Sequence, residues 1–290
     1  MKRLFPVIAI CSLTALLAGC ATDPSSSPSV AAMPASAAAT PPISNPLPIL
    51  DIQPGTEGKD ASYPQCGTAT PDPGGFAIVG VNGELPTILN PCFDELVAWA
   101  ARAEHPPLLY VNAANPAGLN TPTWPKTGGN DYYGACTGAA DAACSYQYGV
   151  DRINGTGLVP ADKGGTGDKQ LINRLQRPTI VFIAIEKEFS WQDGAQTPQT
   201  RIATLEGMAD AIRQGGNQPG IYATAEDWQL LMGGDIQPGQ NLYGVPIWWR
   251  GAPSLDSSYC GRHSFTGGKI LFVQAPALNT GSVIDENIAC

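Results

Sequence analysis

The stretch TIVFIAIEKEFSW, Thr179 to Trp191, decides the fold. Ile180 to Ile185 are apolar without a break, the pattern of a strand buried on both faces, and the run stops abruptly at Glu186 and Glu188. Such a strand belongs to a parallel sheet covered by helices. A carboxylate at its C-terminal end stands where a β/α barrel places its chemistry.

Similar runs recur on either side, separated by amphipathic segments. GFAIVGVNG (Gly75 to Gly83) reads as the first strand, and Asn90 with Pro91 as the start of a helix striped by Phe93, Leu96, Val97, Ala100 and Ala101. PLLYVNAAN (Pro107 to Asn115) is a second strand, followed by a helical stretch around Ala139 to Ile153 and a Gly-rich insertion to about Asp168. After Thr179 to Ile185 come a helix near Pro198 to Arg213 closed by Gly215 and Gly216, the strand GIYAT (Gly220 to Thr224), and a capping box of Thr224 with Asp227. VPIWW (Val245 to Trp249), KILFVQA (Lys269 to Ala275) and SVID (Ser282 to Asp285) complete the series. The expected fold class is α/β, a single β/α (TIM-type) barrel with room for irregularity, over residues 61–290.

The amino terminus reads as export machinery. Lys2 and Arg3, an apolar run from Leu4 to Leu17 and LLAGC at Leu16 to Cys20 make residues 1–19 a signal peptide that resembles a bacterial lipoprotein signal, with Cys20 lipidated; the rival is an ordinary signal with an incidental cysteine. Residues 20–60 then form a disordered linker dominated by Ala, Pro, Ser and Thr. The expectation is a monomer outside the cell, held to the outer face of the membrane by lipid alone and reaching into the cell-wall space.

Net charge is −9, and loss of Lys2 and Arg3 takes it to −11. That surface repels phosphate backbones, so no nucleic-acid partner is expected. Of the eight cysteines, Cys11 leaves with the signal and Cys20 goes to lipid. Cys66, Cys92, Cys136, Cys144, Cys260 and Cys290 remain as three disulfides in an exported chain. Fifteen connectivities are open, and proximity favours 66 with 92, 136 with 144 and 260 with 290. Zinc is the rival use of these thiols, but there is no C-x-x-C and only His105 and His263 to assist, so no metal site is expected.

The strand ends deliver Asn82, Asn112, Glu186, Tyr222, Trp249 with Arg250, and Gln274. Amides and carboxylates suit sugar hydroxyl and acetamido groups, and aromatic rings suit the apolar face of a sugar. GGTGDK (Gly164 to Lys169) lacks the phosphate-loop pattern and reads as a loop. G-x-S-x-G and H-E-x-x-H are absent, and no cofactor is expected.

YPQCGTATPDPGGFAIVGVNG, LYVNAANP, CSYQYG, GIYATAEDW and FTGGKILFVQ resemble the glycoside hydrolase-like domain of unknown function found in exported actinobacterial proteins, which is similar in fold to the family 25 glycoside hydrolases, lysozymes that cleave peptidoglycan. The likeness runs from about Tyr63 to Cys290. It implies a wall-sugar ligand, a D-x-E pair ending the fourth strand, an Asp ending the first and another near the last. Matching Ser190 and Trp191 to the residues that follow D-x-E puts Glu186 on the glutamate and Ala184 on the aspartate, with Asn82 at the first-strand Asp, Gln274 ahead of a usual aromatic position, and Asp285 as the late carboxylate. A retaining glycosidase needs two carboxyl groups about 5 to 5.5 Å apart. Glu186 with Glu188 in a shifted register, or a substrate acetamido group, are the ways to supply the missing partner. The resemblance therefore implies binding of cell-wall carbohydrate, peptidoglycan or a related glycan, by Asn82, Asn112, Trp191, Tyr222, Trp249 and Gln274, with weak or absent catalysis. The alternatives are an active hydrolase with Glu186 as general acid and Asp285 as second group, and a structural or partner-binding lipoprotein.

Overall fold

A computed structural model describes residues 51–290 apart from 69, 84–87, 115–122, 156–166, 188–190, 192–195 and 277–283. The signal segment, Cys20, most of the linker, Glu188 and Ser190 lie outside the described residues.

Eight strands close a barrel in the order β1 (Glu57–Ala61), β2 (Phe76–Gly80), β3 (Leu108–Asn112), β6 (Ile180–Ala184), β7 (Gln218–Ala223), β8 (Ile247–Trp249), β9 (Ile270–Ala275) and β10 (Asp285–Ala289). A separate two-stranded ribbon is made by β4 (Gly129–Asn130) and β5 (Gly134–Ala135). Pairing around the barrel is parallel from β1 through β9, but β10 runs antiparallel to both β9 and β1. The sheet is therefore mixed, where all-parallel pairing was expected.

The sequence reading also began the barrel one strand late and gave residues 57–60 to the linker. EGKDA has Ala61 as its one apolar residue, so it carries no hydrophobic period. Its place is set instead by backbone pairing to β2 on one side and β10 on the other.

Two apolar layers follow from the side-chain alternation of the strands. Phe76, Ile78, Leu108, Ile180, Phe182 and Phe272 fill the barrel, where the Phe76 and Phe272 rings lie 4.6 Å apart, tilted by 33°. The alternate residues, Val79, Leu109, Val181, Ile183 and Ile221 among them, meet the helices α1 (Phe93–Ala100), α2 (Ala142–Asn154), α3 (Asp168–Ile172), α4 (Pro198–Gln214) and α5 (Ala225–Met232). Helices α2 and α4 cross at Gly149 and Gly207, where a methyl group would collide with the Thr204 and Tyr146 carbonyls.

Local capping chemistry fits the boundaries. Thr197 Oγ1 accepts from Thr200 N at 3.3 Å to start α4, and Thr224 Oγ1 accepts from Asp227 N at 2.9 Å to start α5. The cap position of α1 is Cys92 rather than Asn90, whose Oδ1 accepts from Cys92 N at 3.1 Å while its Nδ2 donates to the Gly80 carbonyl at 2.7 Å. The disulfides are Cys66–Cys92, Cys136–Cys144 and Cys260–Cys290.

Candidate functional site

The parallel strands point their C-terminal ends to one mouth, and β10, running the other way, brings its first residue there. Asp60 on β1 and Asp285 on β10 are cross-strand partners, and Asn287 shares the inward face with Asp285. Asp60 is 9% exposed. Its Oδ2 accepts from Gln274 Nε2 at 2.9 Å and from Asn287 Nδ2 at 2.8 Å. Gln274 Nε2 also lies 3.3 Å from Asp285 Oδ2. Burial, then the nearby Asp285 charge, push the Asp60 carboxyl up to about 7, with a smaller push from Glu186, while the two amide donors pull the other way.

One wall of the mouth is aromatic. Tyr222 on β7 is in register with Trp248 on β8, their rings 4.2 Å apart, and Tyr110 on β3 lies 5.8 Å from Trp248 and 6.4 Å from Tyr222. Tyr222 donates its hydroxyl to Gln274 Oε1 at 2.7 Å, and Trp248 donates Nε1–H to Asn287 Oδ1 at 2.7 Å. Burial and the Asp60 charge raise both tyrosine hydroxyls well above the usual phenol range, so they stay protonated.

Glu186 follows β6 by two residues and keeps the inward direction of Ala184. Arg250, two residues beyond Trp248, pairs with Glu186 at 3.6 Å and with Asp227 at 3.4 Å, and its guanidinium sits 5.9 Å from the centre of the Tyr222 ring. Lys187 meets Asp227 from the other side at 3.6 Å. The Asp227 carboxylate thus anchors two cations at the rim.

The structure brings together Glu186, Asp285, Tyr222 and Gln274 from the sequence-derived set. Asn112 shares the register of Ala184 and donates from Nδ2 to the Gly83 carbonyl at 2.9 Å. The other three sit elsewhere. Trp249 points outward, packing against Tyr259 at 6.1 Å and Phe265 at 6.2 Å, so the inward ring is Trp248, a displacement of one residue that exchanges faces. Trp191 is 0% exposed in the layer between sheet and helices. Asn82 is likewise wholly buried, accepting from Asn112 N at 2.7 Å and donating to Asp168 Oδ2 at 3.4 Å.

Asn82 follows β2 rather than the first strand; the carboxylate near the end of the first strand is Asp60. The stretch read as a loop, Gly164 to Lys169, ends inside α3, whose first residue Asp168 is another buried acid. Asp168 pairs with Arg152 at 3.2 Å, and burial, opposed by that cation, raises its carboxyl to about 6. Ala184 lies inside the barrel with no side-chain oxygen to offer, in register with Asn112 and Tyr222.

Sequence reasoning missed Asp60, Tyr110, Trp248 and Asn287. The signal for Asp60 was available as an acid two residues before a helix-starting Ser62, but no apolar run introduced it. What the assembled mouth can do chemically is bind a polyhydroxylated ligand between rings and amides, and hold one carboxyl group protonated near neutrality beside two others.

No protein family and no curated protein matches the chain. Among solved structures, the spore cortex lytic enzyme SleM of Clostridium perfringens superposes with a TM-score of 0.50 at 12% identity, over 81% of this chain and 67% of that one. A muramidase from Acremonium alcalophilum gives 0.48 at 15% identity over 81% and 93%, and a family GH25 lysozyme from Aspergillus fumigatus gives 0.46 at 11% over 81% and 94%. Identities this low speak to fold alone, and the chain shares its barrel fold with the spore cortex lytic enzyme.

Proposed function

We propose that the barrel mouth binds a cell-wall glycan, peptidoglycan or a related polymer, and turns it over weakly or not at all. The observation that carries this reading is Ala184. It faces the barrel interior two residues before Glu186, where the resemblance calls for a second carboxylate on the same strand. Loss of a positioned base or nucleophile removes roughly 10²- to 10⁴-fold in rate. Arg250 adds to this by engaging Glu186, the one acid kept at that strand end, at 3.6 Å. The rings of Tyr110, Tyr222 and Trp248 still line one wall of the mouth.

The test is a zymogram and reducing-sugar assay on purified walls with a parallel binding titration against wall fragments, comparing the wild type with Glu186→Gln. Binding retained within several-fold, without lysis by either protein, is the expected result. Wild-type turnover that Glu186→Gln abolishes overturns it. Asp60 is the specific observation favouring a second reading, a working hydrolase: it supplies a carboxyl held at about 7 beside Asp285 and Glu186, replacing the acid missing at Ala184. Turnover lost in both Glu186→Gln and Asp60→Asn decides for that reading.

Residues 1–19 as a lipoprotein signal, lipid on Cys20 and a linker up to the barrel complete the proposal, with a monomeric domain held at the outer membrane face. Three disulfides fit an oxidising compartment. Fatty-acid labelling that disappears in Cys20→Ser is the expected outcome, and labelling that persists refutes the anchor.

A further inference from the structure

Two hydrogen-bond relays converge on Asp60. An indole N–H can only donate, so the Trp248 contact forces the Asn287 amide to present its oxygen to the ring and its NH₂ to Asp60 Oδ2. The second relay runs from the Tyr222 hydroxyl through Gln274, whose NH₂ serves Asp60 Oδ2 and Asp285 Oδ2 with one hydrogen each. Oδ2 of Asp60 thus has both lone-pair directions occupied by donors whose orientation is fixed from behind. Oδ1 accepts no hydrogen bond among the described residues.

We propose that Gln274 and Asn287 are positioning residues that hold Asp60 by Oδ2 alone, so that Asp60 carries its proton on Oδ1 and presents it to a sugar oxygen bound at the mouth. The identity of the ligand rests on the glycan reading above; the positioning does not. The relays also assign Tyr222 and Gln274 a different task from direct sugar contact: their polar atoms are committed to orienting Asp60. The charged and titratable groups facing Asp60 are Asp285 from β10, Glu186 beyond β6, Tyr110 from β3 and Tyr222 from β7, with Arg250 beyond β8 paired to Glu186.

The experiment is an infrared titration of the carboxylic-acid carbonyl band in the unliganded domain, with Asp60→Asn subtracted to isolate one group. The wild-type midpoint is expected at about 7. Removing a donor to the charged form in Asn287→Ala or Gln274→Ala should move it up by about one pH unit each. Tyr222→Phe, which keeps the ring and removes only the orienting hydroxyl, should move it up by less. A midpoint unmoved or lowered in both alanine variants overturns the proposal, and Tyr222→Phe decides the matter in the same way where they fail to fold.

Binding of N-acetylglucosamine oligomers, followed across the same pH range, should weaken as pH rises through the wild-type midpoint. It should follow the shifted midpoint in the variants, which a merely structural role would not produce. Affinity that ignores the shifted midpoints overturns the donor role. A moved midpoint with no oligomer binding upholds the positioning and overturns the glycan reading.

Discussion

Replacing Asp60 with asparagine removes one buried charge while keeping the shape of the side chain. The asparagine oxygen can take the two donations now made to Oδ2 by Gln274 and Asn287, with its NH₂ in the place of Oδ1. The carboxyl rises from 3.8 unfolded to about 7 folded. At ~1.36 kcal/mol per pH unit, this raised value amounts to up to about 4 kcal/mol. Below pH 3.8 the group is protonated in both states and its contribution is fully present. Between 3.8 and about 7 the unfolded chain ionises while the folded one does not, so stability falls as pH rises, and the loss is complete above about 7. Asp60→Asn should therefore match the wild type near pH 3.5 and exceed it by up to about 4 kcal/mol at pH 8. Urea unfolding with disulfides intact, followed by tryptophan fluorescence, reads this directly: with m of about 3 kcal/mol/M the midpoint rises by about 1 M at pH 8. An Asp60→Asn midpoint no higher than wild type at pH 8, or an advantage that does not shrink on acidification, refutes the reasoning.

Two further outcomes follow from buried contacts. Arg152→Met strands Asp168, which is 1% exposed, and should lower stability by about 3 to 5 kcal/mol at pH 8 with a smaller loss at pH 5, where the carboxyl takes up a proton; equal losses at both pH values by urea titration count against it. Gly149→Ala should also destabilise: helix propensity alone favours alanine by about 1 kcal/mol, but the methyl meets the Thr204 carbonyl, and a net loss of about 1 to 3 kcal/mol is expected in thermal unfolding, a gain being the contrary result.

The legible part of this fold was the part with a hydrophobic period. Ile180 to Ala184, Phe76 to Gly80 and Ile270 to Ala275 announce themselves as strands buried on both faces, and the structure places Glu186 just beyond the first of these and Gln274 on the last at the mouth, with Tyr222 from Gln218–Ala223. β1 was illegible because Glu57, Lys59 and Asp60 outnumber Ala61, and its inward positions are Gly58 and Asp60, chosen for room and charge rather than apolarity. Trp249 was chosen over Trp248 because a strand apolar on both faces gives no parity; only the pairing of Tyr222 with Trp248 fixes which ring looks inward. Asn82 was lost to a different cause. Its partner Asp168 is 86 residues away, and no local pattern marks an asparagine that will be wholly enclosed.

Closure of the barrel by an antiparallel strand ties the site to the order of assembly. Asp60 meets Gln274 and Asn287 across 214 and 227 residues of chain, so every group that holds its carboxyl comes from the other end of the domain. Because the chain is made amino end first, Asp60 is present, solvated, long before the residues that will donate to it. Contacts of that separation close slowly. The carboxyl loses its water only when β10 docks between β9 and β1, so its protonation is a chemical signal that the whole barrel has formed.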